Sequence, residues 1–302
     1  MRPSPRIVLA AFAVMGAFAA PAYASCGSAT TAEAPRRARA DAALVARILQ
    51  QANQSLGQGD FNDACTKYRM VLSVDETNAD ARLGLGEGAL GEGDYLSARA
   101  HFQAVADAQA QNARAQQGVG LSYLLAGDPA GADPYLHRAV EADASLWRSW
   151  NALGIIADSR SDWAAADAAW AGAIAAAPDQ ADIYNNEGMS MLQRGNAAAA
   201  RAAFEQALQR DPTLQTAASN RRVALAMLGQ YDQALAGVSE RDLPAAMNNV
   251  AVVAARRGDR AVADRLLAAA ITASPRYYEI AVRNREALNQ PQPTIATTRR
   301  RQ

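Results

Sequence analysis

Two histidines, two cysteines and a set of regularly spaced asparagines are the side chains in this sequence whose types could bind or react. A metal site needs three or four ligands brought together at fixed spacing. His101 and His137 have no His, Cys or paired carboxylate at such a spacing, so each reads as an exposed or packed histidine, and no metal is assigned. No G-x-S-x-G elbow, H-E-x-x-H pair or Walker A loop occurs, so no catalytic residue is assigned. Gly86-Glu87-Gly88-Ala89-Leu90-Gly91 does satisfy G-x-G-x-x-G. A dinucleotide fingerprint must follow a strand, however, and this run sits inside a helical pattern, so no cofactor is assigned. That leaves the side-chain amides of Asn151, Asn185, Asn186, Asn220, Asn248 and Asn249. An amide carries both donors and an acceptor. It can therefore clamp the backbone of an extended peptide, or bond a neighbouring helix or water.

Composition narrows the partners. The chain has 30 Lys and Arg against 30 Asp and Glu, so no net charge draws it to nucleic acid or to an anionic membrane surface. Half the residues are apolar but only 6% are aromatic, and alanine dominates, which suits closely packed helices better than sheet.

The elements that must position the asparagines come from a repeat of 34 residues. Gly59, Gly93, Gly127, Gly195 and Gly229 lie on it, with one step taken by Ser161, and Asp60, Asp94, Asp128, Asp162 and Asn196 follow one residue behind. Four residues later come Ala64, Ala98, Ala132, Ala166, Ala200 and Ala234, then after four more Tyr68, Phe102, Leu136, Trp170 and Phe204. A glycine able to take positive φ ends one helix, and the Asp or Asn behind it caps the next. The alanine lets the paired helices approach, and the bulky residue fills the groove beside it. This pattern resembles the tetratricopeptide repeat (TPR).

The resemblance implies an all-α fold, a right-handed α-solenoid of about seven helix-turn-helix repeats. The units are 45–78, 79–112, 113–146, 147–180, 181–214, 215–243 and 244–277. The sixth is degenerate: Arg222 stands where glycine is expected, and only 29 residues separate Gly229 from Gly258. Its second helix should lose more than a turn before Asp242 caps the next, and the curvature should change there. Gly86, Gly88 and Gly91 each weaken the helix that holds them, so the second repeat should open easily. After Pro275, Tyr277, Ile280, Ala281 and Leu288 share one face, which predicts a capping helix. Residues 291–302 carry no core pattern and read as a disordered tail.

At the amino end, Arg2 and Arg6 precede an uncharged apolar run from Ile7 to Ala20, followed by Pro21 and small residues. That is the order of an export signal. Ala22-Tyr23-Ala24 is an A-x-A site that would leave Ser25 first. Tyr23-Ala24-Ser25-Cys26 resembles a bacterial lipobox, with Cys26 lipidated and Tyr23 where that pattern prefers Leu. Residues 25–44 then form a linker or tether. Both cuts place the protein outside the cytoplasm, in the periplasm or on the periplasmic face of the outer membrane. In an oxidising compartment Cys26 and Cys65 can pair, which lipidation would exclude; otherwise Cys65 is a small, partly buried helix residue.

TPR proteins generally present ligands along the concave face of their first helices, so the resemblance implies binding of proteins or peptides. Counted from each turn glycine, Asn186, Asn220 and Asn249 hold one register, and Asn151, Asn185 and Asn248 hold the register one residue earlier. In TPR proteins this place faces the groove. The resulting expectation is a peptide site in the carboxy-terminal half, with these amides as backbone clamps and Met189 and Val223 as apolar floor. Asn248-Asn249, Gly258-Asp259 and Ser274-Pro275-Arg276-Tyr277-Tyr278 ahead of Asn284 further resemble the last repeat of the TadD family of tight-adherence (Flp) pilus assembly proteins. That resemblance implies an exported scaffold, often a lipoprotein, that assists assembly of a pilus and secretin machine. A general envelope adaptor and a regulatory subunit for a separate enzyme remain the alternatives.

Overall fold

The computed structural model describes residues 42–273 and 278–290, and every regular element in them is a helix. The glycine-to-aspartate steps explain where the helices break. Gly59, Gly93, Gly127, Gly195, Gly229 and Gly258 all take φ between +75° and +91°. Ser161, where the glycine is skipped, holds the same left-handed conformation at φ 58°. Asp60, Asp94, Asp128, Asp162 and Asn196 each accept, through the side chain, the backbone N–H three residues on.

The chain divides at Ile183 into two compact units. In the first, four hairpins pair α1 (Ala42–Gly57) with α2 (Phe61–Val74), α3 (Ala79–Glu92) with α4 (Tyr95–Ala108), α5 (Ala113–Leu125) with α6 (Pro129–Ala142) and α7 (Trp147–Ser159) with α8 (Trp163–Ala176). Within this unit α2 packs on α3, α4 on α5 and α6 on α7. In the second unit α9 (Ala181–Gln193), whose first turn straddles the division, precedes α10 (Ala197–Arg210). Then follow α11 (Gln215–Met227), α12 (Tyr231–Leu235), α13 (Leu243–Arg257), α14 (Arg260–Ala273) and α15 (Tyr278–Asn289).

The core is the repeat made physical. Ala64, Ala98, Ala132, Ala166, Ala200 and Ala234 are fully buried, as are Tyr68, Phe102, Leu136, Trp170 and Phe204. The glycines of the second repeat turn out to be packing seats. A Cβ added to Gly84 would stand 2.1 Å from the Tyr68 ring, and one on Gly86 2.6 Å from the Phe102 ring. A larger residue would push those rings out, so local helix propensity has been given up for close packing.

The helix α12 has 5 residues where its counterparts α10 and α14 have 14, so the sixth repeat loses more than a turn as expected, and in fact more than two. Two expectations need correction. Asp242 occupies the cap position of α13 but makes no side-chain cap; its carboxylate instead accepts the Ser239 hydroxyl at 2.7 Å. On α15, Ala281 and Leu288 are buried as expected, but Ile280 is 50% exposed because it lies off their stripe. Tyr277 falls outside the described residues, as do residues 1–41, the carboxy-terminal stretch 291–302 and Cys26. Cys65 is buried and disulfide-bonded.

Candidate functional site

The asparagines belong to a wider set of polar bonds between first helices. In the first unit Ser149 donates to Gln117 Oε1 at 3.1 Å, joining α7 to α5. In the second unit Asn220 Nδ2 donates to Asn185 Oδ1 at 3.0 Å, joining α11 to α9, and Asn284 Nδ2 donates to Asn248 Oδ1 at 2.9 Å, joining α15 to α13. Gln117, Asn185 and Asn248 all stand ten residues before their turn, and Asn151 shares that register on α7. Sequence reasoning missed Gln117, Ser149 and Asn284 as partners in this arrangement, although the common register of Gln117 was a readable signal.

Asn220 and Asn248 are buried, Asn151, Asn185 and Asn186 are half-buried, and Asn249 is exposed. The register of Asn220 explains its burial. Gly84 and Gly118 hold the same place in earlier repeats, and a Cβ there would point into the Tyr68 and Phe102 rings of the preceding second helix. That register therefore faces the preceding hairpin, not an open groove, wherever a full second helix precedes it. Only before Asn249 is the second helix cut short. Met189 packs with the Phe204 cluster, away from Asn249, whereas Val223 packs beside Leu225 and is half-buried.

The shortening of α12 opens a cleft of about 510 Å³ between α11, the loop that follows α12, and the start of α13. Ser219, Arg222, Val223, Val238, Asp242 and Asn249 line it. Of the expected site residues, the structure brings together Val223 and Asn249 here and leaves the other six outside. Arg222 Nη2 donates to Ser219 Oγ at 2.9 Å. Burial pushes the Arg222 guanidinium below its ordinary pKa; Asp242 opposes this and Arg221 adds to it. The cleft thus carries one cation and one carboxylate in a lining that mixes hydroxyl and amide groups with small apolar side chains. No cluster of His, Cys, Asp and Glu among the described residues could hold a metal, and no described helix is long and apolar enough to cross a membrane.

Comparison with known proteins agrees with this architecture. Tetratricopeptide-repeat models match residues 49–113, 85–146 and 181–214. No curated protein matches the sequence. Among solved structures, the APC/C hetero-tetramer Cut9-Hcn1 is similar at 16% identity and a TM-score of 0.62, over 82% of this chain and 52% of that one; this chain thus spans about half its length. PilW, described as a widely conserved type IV pilus biogenesis factor, is similar at 18% identity and a TM-score of 0.58, over 67% of this chain and 93% of that one. PilF of Pseudomonas aeruginosa is similar at 20% identity and a TM-score of 0.51, over 70% and 96%. At these identities the likeness is one of fold, the all-helical solenoid of paired helices. No catalytic domain is identified in any of these matches. The repeat models, the turn glycines with their caps and the buried alanine and ring positions together show that this chain carries tetratricopeptide repeats in an all-helical, TPR-like solenoid.

Proposed function

We propose that this protein is an exported scaffold that binds partner proteins or peptides and assists assembly of a tight-adherence (Flp) pilus and its secretin. The observation that carries the binding role is the cleft beside α12, where Val223 and Asn249 stand with Arg222 and Asp242. Support for the pilus role comes from the carboxy-terminal motifs ending in Asn284 and from a fold shared with PilW and PilF. Of the expected clamps, Asn249 is the amide best placed to meet a peptide backbone, because Asn220 and Asn248 are buried against their own neighbours. Electron microscopy of surface pili in a strain lacking this protein tests the assignment. Loss of pili, restored by the wild-type gene, is expected; undiminished piliation would overturn it.

Export supplies the compartment in this reading, and the mature chain starts at Ser25 or at a lipidated Cys26. The disulfide at Cys65 supports the first start, because lipidation would take the one other cysteine in the sequence, Cys26, out of pairing. Intact mass with and without reductant separates the two forms, and a chain retaining Met1 in the cytoplasm would refute export.

A further inference from the structure

The cleft lies where every complete hairpin places a bulky side chain. Phe102 sits between Gly86 of its own first helix and Gly118 of the next, so close that a Cβ on either would stand 2.6 or 2.3 Å from the ring. Tyr68, Leu136, Trp170 and Phe204 hold the matching seat against Gly84, Gly120, Gly154 and Gly188. In the sixth hairpin the residue in phase, 34 after Phe204, is Val238. The helix α12 ends at Leu235, so Val238 belongs to the loop and reaches the cleft only as a wall. The two registers that clasp a ring elsewhere are here Arg222 and Asn249, and both line the cleft.

We propose that this cleft is a socket for a tyrosine side chain carried by a segment of a partner protein. The inference rests on the protein-binding reading and names the chemistry of what enters. Charge selects the occupant. A carboxylate would meet Asp242, and an ammonium group would meet Arg222. A neutral ring stacks on the guanidinium, and its hydroxyl donates to the carboxylate. Val223 and Val238 supply apolar flanks for the ring. The protein uses both contacts within itself. Arg99, Arg138 and Arg210 lie 4.5, 4.4 and 3.7 Å from the ring centroids of Tyr123, Tyr135 and Tyr184. In the sixth hairpin, Tyr231 donates its hydroxyl to the Asp259 carboxylate.

The test is to pan a phage library of random dodecapeptides on the purified mature protein and to measure the recovered peptides by fluorescence anisotropy. Two variants serve as controls. Val238→Trp plugs the cleft from the loop. Arg222→Ala restores the residue type that Ala52 and Ala251 supply at the same register, and so keeps the helix. Peptides sharing one tyrosine are expected. Changing that tyrosine to alanine should weaken binding tenfold or more, and both protein variants should do the same with circular dichroism unchanged. Peptides without a shared tyrosine, with a shared acidic residue instead, or indifferent to both variants would overturn the socket while leaving peptide binding intact. Recovery of no peptide would overturn both readings.

Discussion

Asn284 on α15 donates its side-chain amide to Asn248 on α13 across 2.9 Å, and both residues are buried. The final helix is therefore held by a polar contact in the interior as well as by Ala281 and Leu288. Removing the acceptor leaves a buried donor unpaired, which costs about 1 to 3 kcal/mol. Asn248→Ala should lower stability in urea unfolding by that amount. Asn249→Ala removes only a long 3.4 Å acceptor of the Asn248 amide at an exposed position and should cost less, about 0.5 to 1 kcal/mol. Equal effects of the two would contradict the interhelix role.

Gly86→Ala inverts the usual effect of adding a methyl group to a helix. Alanine normally stabilises a helix interior by up to about 1 kcal/mol relative to glycine. Here the new Cβ would meet the Phe102 ring at 2.6 Å, and overpacking of this kind costs about 1 to 3 kcal/mol. A higher melting temperature for the variant would show that the helix is limited by propensity and that the ring gives way.

Ser161 is the one described non-glycine residue with positive φ, at 58°. A left-handed conformation costs an L-residue roughly 1 to 2 kcal/mol. Ser161→Gly should relieve most of that and raise the melting temperature, despite the added freedom of the unfolded chain. A lower melting temperature would mean that the serine is not strained.

The carboxylate of Asp264 on α14 accepts Arg285 Nε at 2.6 Å and Nη2 at 3.0 Å, which ties α15 to α14. The Arg285 hydrogen bonds hold the Asp264 pKa below its ordinary 3.8. A depressed carboxylate pKa contributes stability that is fully present above the unfolded value and is lost as pH falls through the folded value. Protection of the α15 amides, taken as exchange relative to the unfolded chain at the same pH, should therefore stay high at neutral pH and fall below about pH 3.8. In Asp264→Asn this acid step should be absent. A step of the same size in the variant would assign it to other carboxylates.

The amino-acid sequence by itself determined the fold class, the helix breaks and the core. Each of these follows from local chemistry recurring at a fixed period: glycine at positive φ, an Asp or Asn cap, alanine at the close approach, a ring beside it. The length of α12 was only bounded by the missing residues, because the sequence shows that something is absent without showing which turns give way. The roles of the asparagines were decided by the tertiary structure alone. Register places Asn220 and Asn249 alike, but the side chain at that register points toward the preceding hairpin. Asn220 meets a complete second helix there and is buried, whereas Asn249 meets the shortened α12 and is left beside a cleft. Arg222 shows the same limit. In sequence it reads as a lapse in the repeat, and only the packing of neighbouring helices turns it into a half-buried charge on the wall of a cleft that Asp242 also lines, because burial depends on residues far apart in the chain.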